Sequence, residues 1–342
     1  MKRFPIIFAA LSIQVAFGQA EFNLREVHED PRSMVQGLSM STAAMVPMEN
    51  LLPDTFNVND NKRAYLNASD TYRKQDSKTQ SQIREAFNKE GEKAEQFSPV
   101  YRKLSDSGYC EDFSMAKQVS FSNCSGTLIS DRHILTAGHC ADEKNMCDDY
   151  RWVFDYKTDA KGNLPSSYTK DSVYNCKNIV ASVNVKSNLG LATRLYQTFF
   201  RTDFAIIELD RPVVGRSPVE LSSQKAVETG DKVFSISYPI GMPAKVNFDG
   251  EVQSGMNTSS YFWTSLIVFG GSSGGPIFSE ETGELVGVIS KGINTTIRDS
   301  DRKCVYEKHP DQMGDSSVGQ TNSNAQMKKI LEVLARKKIP VL

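Results

Sequence analysis

From about residue 113 the chain is cut into short apolar runs, among them KQVSF, GTLIS, RWVFDY, NIVASVNV, FAIIELD, KVFSISYP, SYFWTSLIVF and ELVGVIS, with Gly, Asn, Asp and Ser between them. Runs of this length, rich in β-branched and aromatic residues and closed off by turn formers, make strands. No long helical periods alternate with them, which excludes a parallel βαβ sheet and leaves an all-β barrel or sandwich over residues 113–342. One helical period stands at the end. In NAQMKKILEVLARKK, Met327, Ile330, Leu331 and Leu334 share a face and Asn324 is placed to cap, so a C-terminal amphipathic helix is expected.

The N-terminal third reads differently. Lys2 and Arg3 precede a mostly apolar stretch, Phe4 to Phe17, and the small residues of Gly18-Gln19-Ala20, which is the layout of a signal peptide over residues 1–20. Pro5 and Gln14 interrupt the stretch, and it falls short of the ~20 apolar residues a spanning helix needs. Residues 21–57 hold Pro31, Pro47 and Pro53 and show no sustained period, so they are expected to form a propeptide or N-terminal arm. Residues 58–112 read as a polar linker or N-terminal extension, with Ile83 and Phe87 spaced for a surface helix. The expected location is secreted or periplasmic. A formal charge of -1 with no basic cluster argues against a nucleic-acid partner, and no later stretch could span a bilayer. Six cysteines in an exported chain favour disulfides over metal ligation. With four histidines, none beside a ligand cluster, and neither C-x-x-C nor H-E-x-x-H present, no metal and no cofactor are expected.

Three segments carry chemistry. CSGTLISDRHILTAGHC sets His139 beside Cys140, TDFAIIELD opens an apolar strand with Asp203, and GGSSGGPIF surrounds Ser273 with Gly270, Gly271, Gly274 and Gly275. A serine hydroxyl is a poor nucleophile until a neighbouring base takes its proton, and an imidazole base works best when a carboxylate fixes its tautomer. Glycines around such a serine let the backbone turn sharply and aim N–H groups at a developing oxyanion, here those of Gly271 and Ser273.

Together, and in the order His, Asp, Ser, the segments resemble the trypsin and chymotrypsin family: TAGHC for its TAAHC, DFAIIEL for its D-[IL]-A-L-[IL]-x-L, GSSGGP for its GDSGGP. The resemblance implies a trypsin-like double six-stranded β-barrel and a monomeric serine endopeptidase acting on protein or peptide substrates. It assigns Ser273 as nucleophile, His139 as general base and Asp203 as its orienting partner. It also implies a Cys124–Cys140 disulfide bracing the histidine, and a substrate-binding strand at Gly287-Val288-Ile289-Ser290, with Ser290 and Gly292 lining the pocket and pairing with substrate backbone. Counting back from Ser273 places Ile267 and Val268 near the base of the specificity pocket, which points to apolar or small uncharged residues there. Three pairings remain open for the other four cysteines; Cys147–Cys176 with Cys110–Cys304 would staple the polar insertion after the histidine.

The chain departs from the digestive members of that family at Ser272, where they carry the aspartate that pairs with a newly cut N-terminal amine. Its likeness is to bacterial members. FNVNDNKRAYLN and ISYPIG are loosely similar to stretches of the glutamyl endopeptidase branch, but Ile289 stands where that branch carries its acid-reading histidine, so glutamate specificity does not carry over. The about fifty residues after Gly292 are too few for the PDZ domain that HtrA proteases append. Two other functions fit parts of the pattern: an inert binding or adhesion protein on the same scaffold, and an esterase, whose G-x-S-x-G elbow belongs to an α/β chain.

Overall fold

The computed structural model describes residues 22–55, 75–142, 145–184, 202–222, 227–254, 261–292, 295–309 and 322–341. The expected signal peptide and the stretch FNVNDNKRAYLN lie outside the described residues.

Six antiparallel strands close a first barrel: β1 (Thr42–Pro47), β2 (Cys124–Leu128), β3 (His133–Thr136), β4 (Tyr150–Phe154), β5 (Val173–Val183) and β6 (Phe204–Leu209), in the order β5-β6-β3-β2-β1-β4, with β4 pairing back to β5. The second half is a sheet built on β7 (Lys232–Ser237), β8 (Lys245–Glu251), β9 (Tyr261–Thr264), β10 (Pro276–Ser279), β11 (Leu285–Lys291) and β12 (Asn322–Gln326), in the order β8-β7-β10-β11-β12-β9. A seventh strand, Leu24–Glu26, adds to the edge of β8. Only part of a second barrel is visible: the sheet curls until Val252, just past β8, bridges Thr264 at the end of β9.

The expected irregular segment over residues 21–57 is the main departure from the sequence reading. β1 is a central strand, paired with β2 on one side and β4 on the other, and buried along its whole length. Its residues alternate between two hydrophobic clusters. Ala43 and Met45 face the barrel interior with Ile134, Trp152 and Phe154, while Ala44 and Val46 face the cluster shared with the second sheet, which includes Phe234, Ile236 and Phe278. A strand buried on both faces shows no apolar–polar alternation, and TAAMVP therefore hid as loop. Phe22 is already part of the folded body, well before residue 113.

The polar stretch that follows contains the helix Ser77–Lys93, capped by the Asp76 carboxylate, which accepts from the N–H groups of Lys78 (2.9 Å) and Thr79 (3.0 Å). It buries Phe87 against Met48 and Leu52, with partly buried Ile83 beside them. The C-terminal helix Met327–Lys337 buries Met327, Ile330, Val333 and Leu334, so Val333 takes the inward place expected of Leu331. Asn324 does not cap it. It sits in β12, and its amide donates to the Phe262 carbonyl (3.3 Å) and Thr264 Oγ1 (3.2 Å).

Three disulfides join Cys110 to Cys304, Cys124 to Cys140 and Cys147 to Cys176. None of the described helices is long and apolar enough to cross a membrane.

Two outcomes test this architecture. A chain starting at residue 58 lacks β1 and should show no cooperative unfolding transition by circular dichroism, whereas one starting at residue 21 should. Replacing Cys124 and Cys140 together by Ala opens a loop of 16 residues' separation and should lower unfolding free energy by about 3 kcal/mol in urea titration.

Candidate active site

His139 lies on a single helical turn, Gly138–Ala141, at the end of β3, and Asp203 opens β6, the strand that pairs with β3. The pairing brings the two together. His139 Nδ1 is 2.8 Å from Asp203 Oδ2, and the His139 backbone N–H donates to Asp203 Oδ1 at 2.9 Å. Gly138 is required for this approach. A Cβ at that position would lie 2.0 Å from the Val183 carbonyl oxygen and 2.8 Å from Asp203 Oδ1.

Asp203 is fully buried, whereas the His139 side chain is 39% exposed at the edge of the barrel. Burial alone raises the Asp203 pKa. Hydrogen bonds from the His139 ring, the attraction of the imidazolium, the Ser290 hydroxyl and the His139 N–H more than offset it, holding the carboxyl below its ordinary value.

Ser273 comes from the second sheet, on the turn between β9 and β10. Its carbonyl accepts from the Ser125 N–H of β2 at 2.8 Å, and the Cys140 sulfur is 3.8 Å from the same oxygen. The loop therefore packs against the strand and the disulfide that hold the His139 turn. Gly274, at φ +82°, makes the closest approach: a Cβ there would lie 2.1 Å from Thr136 Oγ1 and 2.2 Å from the Ser125 carbonyl oxygen. On its other side the loop is clipped to β11, with Gly274 N–H donating to the Ile289 carbonyl (2.8 Å) and Ile289 N–H to Gly275 (2.9 Å).

Gly271 adopts φ +90° and packs on the Tyr238–Gly241 turn, where a Cβ would meet the Tyr238 carbonyl oxygen at 2.5 Å. Its own carbonyl is turned away to accept from Ser125 Oγ at 2.8 Å. Among the described residues the N–H groups of Gly271 and Ser273 donate to no protein acceptor. Ser272, buried, accepts at its hydroxyl from Ser237 Oγ (3.2 Å), a neutral contact with no charged partner.

Ser290 turns its side chain inward, toward Asp203. Its hydroxyl donates to Asp203 Oδ2 at 2.8 Å, and the residue is buried. Gly292 is exposed at the end of the same strand. Ile267 packs with Phe22, Leu24, Phe113, Met242 and Phe269, and Val268 with Val233, Val252, Phe262 and Ile289, so both apolar side chains belong to hydrophobic clusters behind the Ser273 loop. Ser125 was not singled out from the sequence. Its one available signal is its position next to Cys124, in the segment that the disulfide fixes.

Cys124, Cys140 and His139 gather ligand-type atoms within 4.8 Å of one another. Both sulfurs are spent in the disulfide between them, and a disulfide offers no thiolate to a metal.

The model of the trypsin-like peptidase domain matches residues 124–288, a span that runs from β2 to β11 and includes His139, Asp203 and Ser273. Among solved structures, a Glu endopeptidase in complex with MPD is 20% identical, with 64% of this chain and 86% of that chain covered at a TM-score of 0.40. The HtrA-type protease AlgW with a decapeptide is 15% identical, with 64% and 52% covered at a TM-score of 0.39, so the match spans about half of AlgW. No curated protein matches the chain. Residues 124–288, from the strand before His139 to the strand after Ser273, thus form a trypsin-like peptidase domain.

Proposed function

We propose that the protein is an exported serine endopeptidase using Ser273, His139 and Asp203 as its triad. The observation that supports it best is the double hold of Asp203 on His139, through ring and backbone, beside a Ser273 loop pinned to the same strands. In this reading Ser273 Oγ attacks the scissile carbonyl while His139 Nε2 takes its proton. The same imidazole returns the proton to the leaving amine, and water then releases the acyl group by the reverse use of the base. Asp203, bonded to Nδ1, fixes the tautomer that leaves Nε2 free to accept. The N–H groups of Gly271 and Ser273 receive the oxyanion, each such donor being worth about 3 kcal/mol in the transition state.

Export fits the three disulfides, which persist in oxidising compartments. The N-terminal segment from Phe22 stays with the enzyme in this proposal, since β1 cannot be removed without opening the barrel.

Ser273→Ala should leave the thermal unfolding midpoint nearly unchanged and lower peptidase activity on the order of a million-fold. A fluorophosphonate probe should label the parent chain at Ser273 and not the variant. Retained activity or labelling in the variant would refute the assignment, and a folded parent inert to both probe and peptides would make the chain a binding protein.

The pH dependence follows from the lowered Asp203 pKa. A depressed carboxyl stays ionised through its ordinary range near ~3.9 and gives up its stabilising contribution only as pH falls through the lower, folded value. Between pH 4 and 8 the carboxyl therefore stays ionised and should add no second proton to the acid limb of kcat/KM. A two-proton slope in a stopped assay between pH 4 and 8 would contradict this.

A further inference from the structure

The loop that carries Ser273 has its backbone polar groups arranged in one sense. Every carbonyl from Phe269 to Ser273 accepts a hydrogen bond: Phe269 from the Ser272 N–H (3.0 Å), Gly270 from the Ile240 N–H (2.5 Å), Gly271 from Ser125 Oγ (2.8 Å), Ser272 from the Gly275 N–H (2.9 Å) and Ser273 from the Ser125 N–H (2.8 Å). Among the described residues, the N–H groups of Gly271 and Ser273 donate to no protein acceptor. Backbone groups in a folded interior are normally paired, so a loop with these acceptors filled and two donors left over is built to present those donors.

The Ile240 bond decides which way the Gly271 N–H points. A trans peptide unit is planar and sets its C=O and N–H on opposite sides, so holding the Gly270 carbonyl against Ile240 turns the Gly271 N–H away from the Tyr238–Gly241 turn. Ile240 delivers its own N–H from φ +55° and ψ +20°, a left-handed conformation that β-branched residues rarely adopt. The surroundings impose it. Ser120 Oγ donates to the Ile240 carbonyl (2.9 Å), the Phe121 N–H (2.9 Å) and the Tyr156 hydroxyl (3.0 Å) donate to the Gly241 carbonyl, and the Met242 N–H closes onto the Pro239 carbonyl (2.9 Å). Strain kept in place by so many contacts points to a use for it. Ser125 ties the same turn to the loop a second time, since its hydroxyl accepts from the Tyr238 N–H at 3.0 Å and donates to the Gly271 carbonyl.

We propose that Ile240 and Ser125 are positioning residues that hold the Gly270–Gly271 peptide so that its N–H serves as an oxyanion donor. The proposal rests on the triad reading above, in which charge develops on the substrate carbonyl as Ser273 attacks. A preorganised donor needs no reorientation at the moment of reaction. Freeing the peptide to rotate therefore lowers kcat and leaves ground-state binding alone.

The test compares three variants of the full chain. Ile240→Pro removes the N–H and cannot take a positive φ, Ile240→Gly keeps the N–H and reaches that φ without strain, and Ser125→Ala removes the hydroxyl. Ile240→Pro should lower kcat on the order of a hundredfold, the scale of one lost oxyanion donor, and Ser125→Ala about tenfold. In both, KM and the acid limb should stay in place, and a peptide aldehyde, which forms a tetrahedral adduct with an active serine, should bind more weakly by the same factor as kcat. Ile240→Gly should keep kcat within about twofold of the parent. An equal loss in Ile240→Gly and Ile240→Pro would assign the effect to side-chain packing and overturn the proposal, as would unchanged aldehyde affinity or a loss confined to KM. A second readout needs no turnover and covers an Ile240→Pro chain that does not fold. Gly270–Gly271 and Gly274–Gly275 are the only two Gly-Gly steps in the sequence, so protein in which glycine alone carries labelled carbonyl carbon and nitrogen gives two carbonyl–amide NMR cross-peaks. The Gly275 amide, bonded to the Ser272 carbonyl, exchanges with solvent more slowly than the Gly271 amide, which tells the peaks apart. In Ser125→Ala the Gly270–Gly271 peak should shift or split and the Gly274–Gly275 peak should not. An unmoved Gly270–Gly271 peak, or both peaks moved alike, would overturn the proposal. If the chain proves inert to substrate and probe, the triad reading fails, while these peaks still decide whether Ser125 holds the Gly270–Gly271 peptide.

Discussion

A carboxylate charge buried at the junction of two β layers is costly unless hydrogen bonds replace the water it has lost. Asp203 is such a charge, and much of the surrounding structure is arranged around its oxygens. Oδ1 takes the His139 N–H, and Oδ2 takes the ring and the Ser290 hydroxyl. These donors come from two elements: a helical turn after β3, and a strand of the second sheet. The buried charge therefore fixes the relative placement of both halves, and the same contacts that satisfy it hold the imidazole by its Nδ1. Gly138 belongs to this constraint, because any side chain there would displace the carboxylate from the His139 N–H.

Ser125 does for the Ser273 loop what Asp203 does for the histidine. Its N–H holds the Ser273 carbonyl, its hydroxyl donates to the Gly271 carbonyl, and its oxygen accepts from the Tyr238 N–H at 3.0 Å. Three points of the second half are thus tied to one residue of β2. With the Gly271 carbonyl drawn toward Ser125, the loop conformation at φ +90° is defined, and Cys124, beside Ser125, is locked by its disulfide to Cys140 of the histidine turn. Histidine turn and serine loop share one rigid support, which is what preorganised catalysis requires.

The legible part of this site was the part written in local signals. His139, Asp203 and Ser273 each stand at a strand end with glycine or apolar punctuation, and the runs around them became β3, β6 and β10. What could not be read had no local signature. β1 is apolar on both faces and short, with alanines in place of β-branched residues, so its strand character exists only in the barrel that encloses it. Ser290 stood at the right place in the sequence, but its partner is 87 positions away, and nothing in ELVGVIS distinguishes a hydroxyl that lines a pocket from one that turns inward to a carboxylate. Asn324 shows the reverse error: its cap-like position before a helical period yielded to a buried strand with polar partners of its own.

Ser272 leaves one physical question about the loop that carries Ser273, since no carboxylate there can anchor it by an ion pair. Neutral contacts take that place. The Ser272 N–H donates to the Phe269 carbonyl at 3.0 Å, and its hydroxyl is met by Ser237. Phe269 in turn is held edge-on by Phe22, with ring centroids 5.2 Å apart, inside the cluster that also contains Ile267. Phe22 is fixed because Leu24–Glu26 pairs with β8 and Glu26 forms a buried ion pair with Lys245. On the facing turn, Ile240 holds φ +55°, a conformation rarely tolerated by a β-branched side chain, and its N–H donates to the Gly270 carbonyl. The N-terminal segment thus supports the loop through side-chain packing and strand pairing, neither of which depends on a free amine.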